Sequence, residues 1–183
     1  MCDRLPEFAF RERDIDNFPN IHCSFESYQQ FSRRNRQNTG SSLSIMNINI
    51  RSMRKNFNLM QIFLSLLCFR FTVIVVTETW LTSDQDHCFE IPGYNRFALY
   101  RNNYGGGISV YVDTTVMTTT VDDMTYISDE YELLGLKLRL RDVNVSLFSV
   151  YRPPTPNIVP FTEQFTREVL QQTAANSSDF FLW

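Results

Sequence analysis

Asn49, Glu78 and Tyr151 are polar residues that close three apolar stretches, where their side chains could share one site. Glu78 follows the β-branched run Val73–Val76 within Phe71–Leu81, FTVIVVTETWL. A short run of that composition predicts a buried strand, and α/β folds place their chemistry at the C-terminal ends of such strands. Asn49 stands at the end of Leu43–Ile50, LSIMNINI, and Tyr151 directly follows Val143–Val150. An amide oxygen and a carboxylate are hard donors of the kind Mg²⁺ takes, with waters filling its other positions. A tyrosine hydroxyl can hydrogen-bond a phosphate oxygen and stabilise charge developing there. Each residue also has a structural alternative. Asn49 suits a turn that bonds its own backbone, Glu78 suits a cap, and Tyr151 suits an amphipathic place in the core.

The elements that must position these residues follow from periodicity. Leu43–Ile50 predicts a strand, Arg51–Asn56 a polar turn, and Phe57–Phe69 a helix, because Phe57, Met60, Leu64, Leu67 and Cys68 recur at helical spacing. With a strand at Thr72–Thr77, this is a βαβ-like opening. Pro92-Gly93 marks a turn before an extended Tyr94–Tyr100. Gly105-Gly106-Gly107 has no following lysine or helix, so it is not a P-loop and reads as a hairpin turn into Ile108–Val112. A strand is predicted at Thr115–Val121. Tyr131–Leu140 alternates cleanly, with Leu134, Leu136, Leu138 and Leu140 on one face, and Asp142 turns the chain into Val143–Val150 as an antiparallel hairpin. Pro153-Pro154 end that strand, and Phe161, Phe165, Val169 and Leu170 mark a helix of about four turns. Asp179–Trp183 opens a further apolar strand, and the sequence reads as a truncation there.

Composition bounds the function. The chain has 183 residues, 43% hydrophobic and 14% aromatic, enough for one globular core. Its formal net charge of −3 gives no global basic field for nucleic acid, although a bound divalent cation would invert the field locally. The four cysteines, Cys2, Cys23, Cys68 and Cys88, form no CxxC pair, which argues against a zinc site and for reduced thiols. The charged N-terminus is not a signal peptide, and Ile62–Val76 is too short and too polar to span a bilayer. A nuclear or cytoplasmic, non-secreted protein without a membrane partner is expected. Residues 1–42, ending in Arg33, Arg34 and Arg36 and then Asn38–Ser42, read as a flexible polar leader, and 43–183 as the domain.

The local wording adds a resemblance. Asn49-Ile50-Arg51-Ser52-Met53, Thr77-Glu78-Thr79-Trp80-Leu81, Ile91-Pro92-Gly93-Tyr94, Arg101 with Gly105-Gly106-Gly107, and Tyr151-Arg152-Pro153-Pro154 occur in this order. Together they resemble the apurinic-type endonuclease domain of non-LTR (LINE-like) retrotransposons, within the endonuclease/exonuclease/phosphatase family. The resemblance implies a four-layered α/β sandwich, two mixed sheets flanked by helices, here incomplete at the C-terminus. It implies Mg²⁺- or Mn²⁺-dependent hydrolysis of a DNA phosphodiester that nicks the target strand, with a downstream reverse transcriptase domain as natural partner. It puts Asn49 and Glu78 at the metal, Tyr151 at the scissile phosphate, and Arg51, Arg101 and Arg152 on DNA.

The family's Gly-Asp-Phe-Asn and Ser-Asp-His motifs are not in these 183 residues, and neither His22 nor His87 matches the latter. The expectation is therefore a fragment of such an endonuclease, inactive as it stands, since catalytic groups act as a unit. Whether the chain is itself an enzyme stays open at this point. The alternatives are a non-catalytic remnant of a retroelement protein and a phosphatase of the same fold. Truncation also predicts that Leu134, Leu136, Leu138, Leu140, Phe148 and Val150 lack full cover.

Overall fold

The computed structural model describes residues 43–67, 69–101, 105–141, 143–154, 158–170 and 179–182. The predicted leader 1–42, Asp142 at the predicted turn and Trp183 lie outside the described residues.

The first half forms a four-stranded sheet. Its strands are β1 (Ile45–Asn49), β2 (Val73–Thr77), β3 (Tyr94–Leu99) and β4 (Ile108–Asp113), in the order β1-β2-β4-β3. β1 and β2 are parallel neighbours joined by the helix α1 (Met53–Leu67), which is the expected βαβ unit. β4 is antiparallel to both β2 and β3. The second half forms another sheet from β5 (Met117–Ile127), β6 (Glu132–Leu140), β7 (Val143–Tyr151) and β8 (Asp179–Leu182), in chain order. The β6–β7 hairpin is antiparallel as predicted, and β8 lies parallel to β7. A second helix, α2 (Val159–Phe165), continues as a π-helical turn through Thr166–Leu170.

Strand alternation sorts the apolar residues into three clusters. Ile74 and Val76 of β2 turn toward Met53, Phe57 and Met60 of α1. Val73 and Val75 face the other way and join Ile108, Val110 and Val112 of β4 with Leu134, Leu136, Leu138, Val145 and Leu147 of the second sheet. The remaining face of the second sheet, with Leu133, Phe148 and Val150, is covered by Phe161, Phe165 and Val169. The predicted shortage of cover is therefore corrected. Leu134, Leu136, Leu138, Phe148 and Val150 are all buried and Leu140 is partly buried, because the chain builds a second four-stranded sheet and sets α2 on its outer face.

Two boundaries also differ from expectation. α1 starts at Met53, within the predicted polar turn. Met53 N–H bonds Thr79 O of a neighbouring loop, and the amides of Lys55 and Asn56 bond Ser52 O to close the helix's own first turn. β5 runs on to Ile127 through Asp122 and Asp123, with a register shift between Thr120 and Thr125. A bulge of this kind lets a polar stretch stay in the ladder while its side chains turn outward.

Candidate active site

Asn49, Glu78 and Tyr151 meet. Asn49 is the last residue of β1 and Tyr151 the last of β7, while Glu78 is the first residue after β2. Asn49 Nδ2 donates to Glu78 Oε1 at 2.8 Å, and the Tyr151 hydroxyl donates to the same oxygen at 3.2 Å. The site thus draws on both sheets. Both bonds land on one carboxylate oxygen.

The backbone beneath these side chains is unusual. Arg51, Ser52, Glu78 and Trp80 all have left-handed φ, at 46°, 89°, 55° and 54°. Non-glycine residues avoid this region, and clusters of it collect at functional sites where surrounding contacts hold them. Here the contacts are plain. Ser52 and Met53 donate to the carbonyls of Glu78 and Thr79, while Thr79 and Trp80 donate to those of Gly107 and Gly106. Three loops are laced together with Thr77–Leu81 in the middle.

A cleft of about 430 Å³ opens at this point, lined by Glu78, Trp80, Arg101, Gly105, Gly106, Tyr151, Pro153 and Pro154. Arg101 is partly exposed and pairs with Glu132 at 3.2 Å. Glu132, the first residue of β6, is wholly buried, and its other oxygen accepts the Gly107 N–H at 2.7 Å. Burial pushes the Glu132 carboxyl above its ordinary range, against the opposing hydrogen bond from Gly107 and the charge of Arg101. The Tyr151 phenol is pushed up to about 12, first by burial and then by the Glu78 carboxylate beside it. It is a hydrogen-bond donor at neutral pH and not a base.

The predicted DNA-contacting arginines separate. Arg101 lines the cleft; Arg51 and Arg152 are not among the lining residues. Arg51 is exposed on the β1–α1 loop, and the Arg152 guanidinium lies 5.7 Å from the centre of the Phe161 ring. Trp80, Pro153 and Pro154, which the sequence offered only as motif wording, line the cleft, while Glu132, the buried partner of Arg101, escaped the sequence reading. Glu132 was signalled by parity, since it stands two residues before Leu134 and so shares its inward face.

The donor set suits a hard divalent cation with few protein ligands. Glu78 offers a carboxylate. Asn49, placed with Nδ2 on Glu78, would bring its amide oxygen beside that carboxylate if the amide turned over, a choice set by the bonding network. Among the described residues no three His, Cys, Asp or Glu side chains cluster around a point. An ion held here would keep most of its waters.

No family model matches the sequence, and no curated protein matches it. Solved structures do resemble it. The endonuclease domain of TRAS1, a telomere-specific non-LTR retrotransposon, is 13% identical, with 75% of this chain covering 56% of that one at a TM-score of 0.49. D. rerio TDP2 complexed with single-strand DNA product is 16% identical over 75% of this chain and 57% of its own, at a TM-score of 0.52. The Bacteroides thetaiotaomicron mannosyl-6-phosphatase Bt3783 is 10% identical over 76% and 64%, also at 0.52. The chain spans less than two thirds of the length of each. At these identities the likeness is one of architecture, and the chain shares the α/β fold of the endonuclease/exonuclease/phosphatase proteins.

Proposed function

We propose that the cleft is the phosphoester site of a Mg²⁺- or Mn²⁺-dependent DNA endonuclease of the non-LTR retrotransposon type, built on the four-layered sandwich of that family. The observation that carries this is the convergence of Asn49, Glu78 and Tyr151 on one carboxylate oxygen at the end of both sheets. In this reading Glu78 and Asn49 hold the cation. The cation supplies charge neutralisation for the phosphate oxygens and a more acidic bound water. The neutral Tyr151 hydroxyl leaves Glu78 for a non-bridging phosphate oxygen, and Arg101 faces the same phosphate from across the cleft.

The resembling domains also use general acid/base and nucleophile-orienting groups. The Gly-Asp-Phe-Asn and Ser-Asp-His motifs that supply them in the resembling domains are not in this sequence. The proposal is therefore that the 183-residue polypeptide binds the cation and phosphate without nicking, because groups of this kind contribute jointly.

Two measurements test it. Calorimetric titration with Mn²⁺ is expected to show weak binding that Glu78→Gln removes. Equal binding by both proteins would overturn the metal assignment. On supercoiled plasmid with Mg²⁺ the 183-residue chain is expected to show no nicking above background, and robust Glu78-dependent nicking would overturn the division of labour.

A small phosphate ester is the second reading. It is favoured by the cleft volume, which falls within the range of small-molecule pockets. Release of phosphate from a sugar phosphate by a chain inert toward DNA would decide for it.

A further inference from the structure

Glu132 has no place in the proposed chemistry, yet it pairs with Arg101, which lines the cleft. The Glu132 side chain has no solvent exposure, while that of Arg101 keeps 31%. Both carboxylate oxygens are in use, one on the Arg101 guanidinium and one on the Gly107 amide. The fit around them is close. A methyl group at Gly106 would fall on Glu132 Oε1 and come within 2.9 Å of Arg101 Cδ. Glu132 is also the register partner of Tyr151, so the two share one face of neighbouring strands at the cleft end of the sheet.

A buried ionic contact is a poor way to gain stability. Desolvating the two charges offsets most of their attraction, and an apolar pair of similar volume often does as well or better. A pair with one member lining a cleft is better understood by what it fixes. The carboxylate takes one part of a planar guanidinium that carries five N–H donors. The side chain so held is one that lines the cleft, and it is otherwise long and flexible.

We infer that Glu132 is a positioning residue: its buried carboxylate clamps Arg101 and the Gly105–Gly107 loop so that the guanidinium presents a fixed anchor for a substrate phosphate. This rests on the phosphoester reading of the cleft and adds to it the group that orients the anchor. Glu132 itself touches no substrate, and acts through Arg101.

The test is a double-mutant cycle on the full chain, read by binding of a short single-stranded oligothymidylate in chelator, over a series of salt concentrations. Arg101→Ala is expected to weaken binding roughly tenfold or more, the size of one charge-assisted hydrogen bond. It is also expected to make the salt slope shallower by about 0.7, as for one lost phosphate contact on a single strand. Glu132→Gln preserves the shape of the buried side chain and is expected to weaken binding in wild type, but to add nothing in the Arg101→Ala background. A merely structural role would give the same loss in both backgrounds and would overturn the inference, as would a Glu132→Gln chain that binds like wild type. In wild-type protein, nuclear magnetic resonance should find the Arg101 guanidinium protons slow to exchange and shifted by the oligonucleotide. Their indifference to it would overturn the inference even where Glu132→Gln does not fold. The Mn²⁺ titration separates the two levels. Failure of Glu78-dependent Mn²⁺ binding removes the hydrolase reading and leaves the anchor intact. Intact Mn²⁺ binding with an unresponsive cycle removes only the anchor.

Discussion

At the scale of single residues, the phenols show how burial sets chemistry. Tyr151 is pushed up to about 12 by burial and by the Glu78 carboxylate that its hydroxyl contacts. Tyr111 reaches about 12 mainly through burial, its hydroxyl donating to Phe89 O at 2.6 Å. A tyrosine held above its unfolded value of about 10 binds its proton more tightly in the folded state. Its contribution is fully present below about pH 10 and is lost as pH rises through 12. The chain is therefore expected to lose stability between about pH 10 and 12, read as falling denaturant midpoints. Tyr111→Phe should lower the midpoint at neutral pH, because a hydrogen bond is gone, but flatten the alkaline decline. A decline of unchanged steepness in Tyr111→Phe would remove that residue from the account. Glu78→Gln should in turn bring the Tyr151 phenol down, seen as earlier phenolate absorbance.

At the scale of elements, the three loops at the cleft are a single hydrogen-bonded unit, and glycine is required where they touch. Gly106 and Gly107 have φ of +68° and +84°, a region that side chains rarely adopt. At Gly106 an added methyl group also meets the Glu132 carboxylate, and at Gly107 it meets the Thr79 side chain. Gly106→Ala is expected to destabilise the chain by about 1–3 kcal/mol through strain at a special conformation. It should also displace Arg101 and weaken oligonucleotide binding beyond what the stability loss explains. A variant melting like wild type would show that the loop accommodates the methyl group.

The same unit marks where the sequence was legible and where it was not. The runs Val73–Val76 and Leu134–Leu140 announced their strands because alternation and β-branching survive in any sequence window. Asn49, Glu78 and Tyr151 could be picked out because each closes such a run. The start of α1 at Met53 lies before the predicted helix, although Met53 stands one turn before Phe57 and is buried with it; the bond from its N–H to Thr79 O comes from a distant loop that no local window carries. The extension of β5 through Asp122 and Asp123 was hidden because a bulge relaxes the pattern. The Glu132–Arg101 pair joins residues 31 positions apart, and no local window carries that information.

At the scale of the whole molecule, stability lies in the layer that both sheets share. Val73, Val75, Ile108, Val110 and Val112 come from the first sheet, and Leu134, Leu136, Leu138, Val145 and Leu147 from the second. The cleft depends on that layer, because Glu78 follows a strand of one sheet and Tyr151 ends a strand of the other. Leu136 is wholly buried in the shared cluster. Leu136→Ala removes its methyl groups and leaves a cavity, expected to cost about 2–5 kcal/mol. Set against about 5–15 kcal/mol for a typical domain, that is a large fraction of the total. If the layer couples the sheets, amide exchange should quicken at Val75 and Val110 as much as at Leu134 and Leu147, and the Glu78–Tyr151 contact should loosen with them. Faster exchange confined to β5–β8 would show two sheets that open independently, and would detach the stability of the cleft from the layer beneath it.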